Sequence, residues 1–150
     1  MNITRRQALA LGAGAAILGM TGLPRLASAE DAKVQAAIDA FAGGASVETG
    51  TVSLSAPEIA ENGNTVPIGV SVDSPMTEAD HVTAVMLLAA GNPQPGVATF
   101  HFSSMSGSAD ATTRMRLAKT QDVIALAKTS TGKVFMDRKT VKVTIGGCGG

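Results

Sequence analysis

The chain has 150 residues, with 12 Lys+Arg against 12 Asp+Glu, one cysteine, and neither tryptophan nor tyrosine. That length makes one ordinary domain, and the charge, which turns to nine basic against 12 acidic residues once residues 1–29 are set aside, argues against the basic face that nucleic acid requires. A lone cysteine excludes a disulfide within the chain.

Residues 1–29 read as a targeting segment: a basic front at Arg5 and Arg6, an apolar stretch from 8 to 20, and a small-residue exit at Ala27-Ser28-Ala29. The apolar stretch falls short of the roughly 20 residues that span a bilayer, so it predicts a cleaved export signal and no membrane anchor. Arg5-Arg6 resemble the twin-arginine signal, which exports folded proteins. Ala8 stands where that signal usually has an aromatic residue, and an ordinary secretory signal would lead to the same compartment, the periplasm. Cleavage after Ala29 removes Arg5, Arg6 and Arg25 and no acidic residue, leaving nine basic residues against 12 acidic ones.

The mature chain opens with a helix over 30–42, in which Val34, Ala37, Ile38 and Phe41 form one apolar stripe. Gly43-Gly44 ends it, and its expected role is to cover the open end or edge of a sheet. The period then changes to two. A strand is predicted over 51–55, a turn over 57–64, and a strand over 65–73 with Val66, Ile68, Val70 and Val72 on one face. Residues 81–89 are nearly continuous in apolar side chains, which predicts a central strand. A proline-rich loop over 91–96 precedes a strand over 97–103. Further strands are predicted over 113–118, with Met115 and Leu117 inward and Arg114 and Arg116 outward, and over 122–129, 133–136 and 140–145. Asp137-Arg138-Lys139 is read as a charged hairpin turn between the last two. Seven or eight short strands and one leading helix predict an all-β fold, an immunoglobulin-like antiparallel β-sandwich over 30–145. The chain lacks the cysteine pair and tryptophan of true immunoglobulin domains.

Residues 146–150 are Gly146-Gly147-Cys148-Gly149-Gly150. Four glycines bring no side chains to build a core around the thiol and carry large backbone entropy, which predicts a flexible C-terminal arm. Three peptide steps from Ile145 place Cys148 roughly 10 Å out, a length suited to delivery into another protein's cleft. A thiol works as its thiolate, with an ordinary pKa of about 8.5. No histidine or second cysteine lies in the motif, so the arm carries a nucleophile without its activating base. Catalysis then belongs to whichever partner receives it, and the chain itself is a carrier with no catalytic residues. A second reading, an exported thiol redox or copper-handling module, would join Cys148 to His81, His101 and the methionines. Metal ligation needs several convergent donors. The histidines read as surface or edge residues, Met76, Met86, Met105, Met115 and Met136 as core filling, and no metal or cofactor is expected.

The terminal motif resembles the signature of the SoxY family, sulfur-carrying subunits of the Sox thiosulfate-oxidation system. Further similarity lies in Asn62-Gly63-Asn64-Thr65-Val66-Pro67, in Ser71-Val72-Asp73-Ser74-Pro75-Met76, in Gly91-Asn92-Pro93 with Phe100-His101-Phe102, and in Thr113-Arg114-Met115-Arg116-Leu117-Ala118-Lys119-Thr120-Gln121. The resemblance implies covalent attachment of sulfur intermediates to Cys148 and a heterodimer with SoxZ. It also implies transient service by the haem enzyme SoxAX, the hydrolase SoxB and, in some systems, the dehydrogenase SoxCD.

Overall fold

The computed structural model describes residues 29–147. The export signal with Arg5 and Arg6, and Cys148, Gly149 and Gly150 of the arm, lie outside the described residues. Helix α1 spans Ala29–Ala42 and buries Val34, Ile38 and Ala42. Glu30 and Asp31 sit in its first turn, where carboxylates oppose the positive end of the macrodipole. It closes where Gly43 takes a φ of +62° and its N–H donates to Asp39 O at 3.0 Å, a left-handed position that glycine occupies without strain.

Nine strands follow among the described residues: β1 Val47–Glu48, β2 Val52–Ser55, β3 Ile59–Asn62, β4 Val66–Val72, β5 Val82–Ala89, β6 Gly96–His101, β7 Ala109–Met115, β8 Gln121–Thr129 and β9 Val134–Ile145. They form a large sheet in the order β1-β9-β8-β5-β6, with β3 also on β9, and a small sheet in the order β2-β4-β7. The chain crosses from the large sheet to the small one between β6 and β7 and returns through residues 116–120.

Between the sheets lies the main core. Val66, Ile68, Val70 and Val72 of β4 face Val85 and Leu87 of β5 and Val123, Ala125 and Ala127 of β8. The alternate residues of the large sheet, Leu88, Ile124, Leu126 and Val134, face the other way and pack under Val34, Ile38 and Ala42 of α1. Here is the reason β5 and β8 read as continuous apolar runs: both of their faces are covered. Each fully buried leucine, isoleucine or valine contributes about 1.5–3 kcal/mol against exposure.

The sequence reading needs correction in five places. The helix covers the outer face of the large sheet, not an end or an edge. The 57–64 segment contains a strand, β3, which pairs in parallel with β9 through Ile59↔Lys142 and Asn62↔Ile145. Strand β7 begins four residues earlier than predicted and ends at Met115. Asp137-Arg138-Lys139 is not a turn, because β9 runs through it unbroken with Asp137 opposite Ala125 and Lys139 opposite Val123. Asp137 instead accepts the Leu54 N–H at 2.8 Å, tying β2 to β9. Finally, the sandwich-like arrangement is not wholly antiparallel, since both β1 and β3 run parallel to β9.

Candidate functional site

Strand β9 ends at Ile145, and the glycines begin. They do not leave the body at once. The Gly63 N–H donates to Ile145 O at 2.7 Å, the Leu117 N–H donates to Gly63 O at 2.7 Å, and the Gly147 N–H donates to Leu117 O at 2.9 Å. Three backbones from three distant parts of the chain are thus stitched in series, and Gly147 is buried. The turn at Gly63 is itself closed by Asn62, whose Oδ1 accepts the Asn64 N–H at 2.9 Å.

Glycine is required here by crowding. A Cβ on Gly63 would sit 2.7 Å from Gly147 N and 2.9 Å from Val143 Cγ1, and would collide with Leu117 O. On Gly146 it would collide with Ala118 O, and on Gly147 it would lie 2.6 Å from Arg116 Cγ and 2.8 Å from Gly63 O. Four of these obstacles, Gly147 N, Leu117 O, Ala118 O and Gly63 O, are backbone atoms, which cannot swing aside as a side chain can. The free arm expected over 146–150 does not begin at Gly146: Gly146 and Gly147 both lie against the body, and Cys148, Gly149 and Gly150 lie outside the described residues.

The segment under the seat is held by amides. Asn92 donates through Nδ2 to Arg116 O at 2.8 Å and accepts the Ala118 N–H on Oδ1 at 3.0 Å, bracketing Leu117. Gln121 Nε2 donates to the same Asn92 Oδ1 at 2.9 Å, while its Oε1 accepts the Gly91 N–H at 2.7 Å. Gln121 is buried, and a buried amide with its partners met fixes one arrangement of its neighbours. Leu117 is fully buried and plugs the same end of the core. Lys119 reaches Glu30 at 2.9 Å and Lys33 donates to Pro93 O at 3.0 Å, so the amino end of α1 rests on this end too.

The other candidates lie apart from the seat. His81 heads β5 half-buried, its Nδ1 2.9 Å from Thr77 O, and His101 is exposed at the end of edge strand β6. Among the described residues no three His, Cys, Asp or Glu side chains gather as a metal would need. Met76 and Met115 are buried and Met86 and Met136 half-buried, but Met105, on the 3-10 turn Ser104–Ser106, is 93% exposed and fills no core. Gly63, Asn92, Leu117 and Gln121 lie in stretches that carry the family resemblance, but the sequence assigns none of them a role at the site. The available signal was a polar Gln121 opening an otherwise apolar strand, and a glycine flanked by two asparagines.

The fold is a helix-covered, sandwich-like pair of sheets, and its site is a backbone seat that holds the chain up to Gly147. The family described as "Sulfur oxidation protein SoxY" matches residues 38–148. The chain belongs to the SoxY family, sulfur carriers of the Sox system. The structure of the sulfur carrier protein SoxY from Chlorobium limicola f thiosulfatophilum is 32% identical, with a TM-score of 0.64, covering 76% of this chain and 98% of that one. Superoxide reductase (neelaredoxin) from Ignicoccus hospitalis is 23% identical at a TM-score of 0.56, covering 63% of this chain and 81% of that one. Superoxide reductase from Nanoarchaeum equitans is 14% identical at 0.54, covering 63% and 99%. These last two share the fold alone. No curated protein matches the chain. Three of the five internal stretches that carry the family resemblance in the sequence, at 62–67, 91–93 and 113–121, meet at this seat.

Proposed function

We propose that the protein is a periplasmic covalent sulfur carrier, with Cys148 as the attachment atom and Gly149-Gly150 completing the arm that presents it. One observation carries this reading: the family match runs the length of the sandwich and ends on Cys148 itself. The seat supports it, because a backbone held at Gly147 delivers the next residue, the cysteine, at a fixed point of departure. Export by the twin-arginine signal of Arg5-Arg6, association with SoxZ, and an immunoglobulin-like wiring of the sandwich belong to the same reading.

The chemistry divides between arm and partners. The Cys148 thiolate and a thiosulfate dianion join through a new S–S bond. This leaves the mono-anionic S-sulfonated persulfide and gives up two electrons, accepted by the haem of SoxAX. Water then cleaves the terminal S–S bond in SoxB, releasing sulfate and two protons and leaving the sulfane sulfur on Cys148 as a persulfide anion for SoxCD. The bonds made and broken involve no group of this chain beyond the sulfur it offers. Intact-mass measurement after incubation with thiosulfate and the partner enzymes tests it. One thiosulfate-sized increment should appear on the parent and vanish wholly in Cys148→Ser, whose circular dichroism and melting stay those of the parent. An increment that survives the substitution would end the proposal.

A further inference from the structure

Strand β7 is an edge. It pairs with β4 from Ala109 to Met115 and, among the described residues, with no strand on its other side. Opposed residues of an antiparallel pair alternate between those that exchange both backbone hydrogen bonds and those that exchange neither. Pro67 has no N–H to give, so Pro67↔Arg114 is of the second kind, and by alternation so are Gly69↔Thr112 and Ser71↔Asp110. The N–H and C=O groups of Asp110, Thr112 and Arg114 therefore point away from β4, along the free edge. No turn or loop backbone among the described residues takes them up. The same residues are exposed, and their side chains stand in one row on the open face of the small sheet, roughly 6.6 Å apart. Proteins blunt such edges with bulges, prolines or repelling charges. Strand β7 has no proline and no register shift, and its two charges, Asp110 and Arg114, are opposite in sign and equally far from Thr112. A half-turn about Thr112 lays each charge against its opposite. The free edge of the large sheet, β6, offers no such match, because Gly96–His101 holds neither an acidic residue nor a lysine or arginine.

We infer that β7 is the pairing edge for a second copy of this chain. A two-fold axis at Thr112 sets the two β7 strands antiparallel, with Thr112 opposite its own mate and Asp110 of each copy opposite Arg114 of the other. Each opposed pair exchanges two backbone hydrogen bonds, and the two small sheets become one. The ion pairs lie on its open face, where side-chain hydrogen bonds from Ser71 and Ser108 already hold the Asp110 carboxylate. Opposite charges directly across two strands stabilise the pairing, and like charges oppose it. The contact uses one patch twice, so assembly closes at two copies. Nothing in this depends on the carrier reading.

Sedimentation equilibrium of the mature chain under reducing conditions tests it, since reduction removes any disulfide between copies. The mass should rise toward that of two chains as concentration is raised. Arg114→Asp sets like charges opposite each other and should weaken association about ten-fold at low ionic strength, as should Asp110→Arg. The double exchange, Asp110→Arg with Arg114→Asp, restores both pairs and should bring association back to within about three-fold of the parent. Amide hydrogen exchange supplies a second readout. The amides of Ala111 and Thr113, bonded to β4, should be protected at every concentration, whereas those of Thr112 and Arg114 should gain protection only as copies associate. A parent still monomeric at about 1 mM leaves the edge to a strand of another protein and overturns the inference. So does a dimer that ignores both single reversals, a double exchange no better than either, or a Thr112 amide whose exchange does not change with concentration.

Discussion

Under α1 the chain is held by side chains. Val34, Ile38 and Ala42 press on Leu88, Ile124, Leu126 and Val134, and the contact is worth what its buried apolar surface is worth. At the arm root it is held by their absence: Gly63, Leu117 and Gly147 meet backbone to backbone because two of the three have no Cβ to keep them apart. The first contact is strong, non-directional and tolerant of small shifts. The second is worth only a few net hydrogen bonds at about 0.5–1.5 kcal/mol each, yet it fixes position closely. A carrier needs both: a body that does not open, and a tail whose departure point is set without being locked for good.

Substitutions can break that contrast in order of size. Ile124→Ala empties a fully buried position between sheet and helix and should cost about 2–5 kcal/mol in urea unfolding, with the rate of Cys148 alkylation in the native state unchanged. A loss below 1 kcal/mol would mean the helix face contributes little. Gly147→Val should behave oppositely. Its side chain cannot fit beside Arg116 Cγ and Gly63 O, but the tail escapes by leaving the seat, so the global cost is capped near the worth of the one bond Gly147 donates there, about 1 kcal/mol. Hydrogen exchange at the residue-147 amide should rise to that of an unprotected amide. An amide that stays protected, or a global loss of several kcal/mol, would make the seat part of the core and erase the contrast.

The smallest effect is expected on the open face of the small sheet. Side-chain hydrogen bonds from Ser71 and then Ser108 hold the Asp110 carboxyl below its ordinary value. A depressed pKa means that the charged form is favoured in the folded state. Its contribution is present above the unfolded value of 3.8 and is lost as pH falls through the lowered folded value. Asp110→Asn should therefore melt slightly lower than the parent near neutral pH and converge with it in acid. A gap that widens in acid would contradict the assignment.

The parts of the fold legible in the sequence were those whose signal is local. Val66, Ile68, Val70 and Val72 alternate, and β5 and β8 are apolar throughout; these patterns state burial on one face or on two without any partner being known. Strand β3 was hidden because only Ala60 of Ile59–Asn62 turns inward, and because its partner lies some eighty residues away at Lys142. Three charges in a row at 137–139 mimicked a turn, since nothing local reveals that β2 offers Leu54 N–H to the first of them. The site divides the same way. Cys148 is conspicuous by being alone among glycines, whereas the seat is a meeting of positions 63, 117 and 147, and the close approach that demands glycine exists only once the chain has folded.

Strand β9 is twelve residues long, paired with β8 from Val134 to Val141 and with β3 from Lys142 to Ile145. Its inter-strand bonds lie crosswise to its length. A pull on the tail is therefore a load in shear, borne by many of these bonds at once, where a pull across the strand would unzip them singly. The strand that carries the carboxyl end is anchored like a strap sewn along a seam, with the Gly147 seat as one further stitch beyond Ile145.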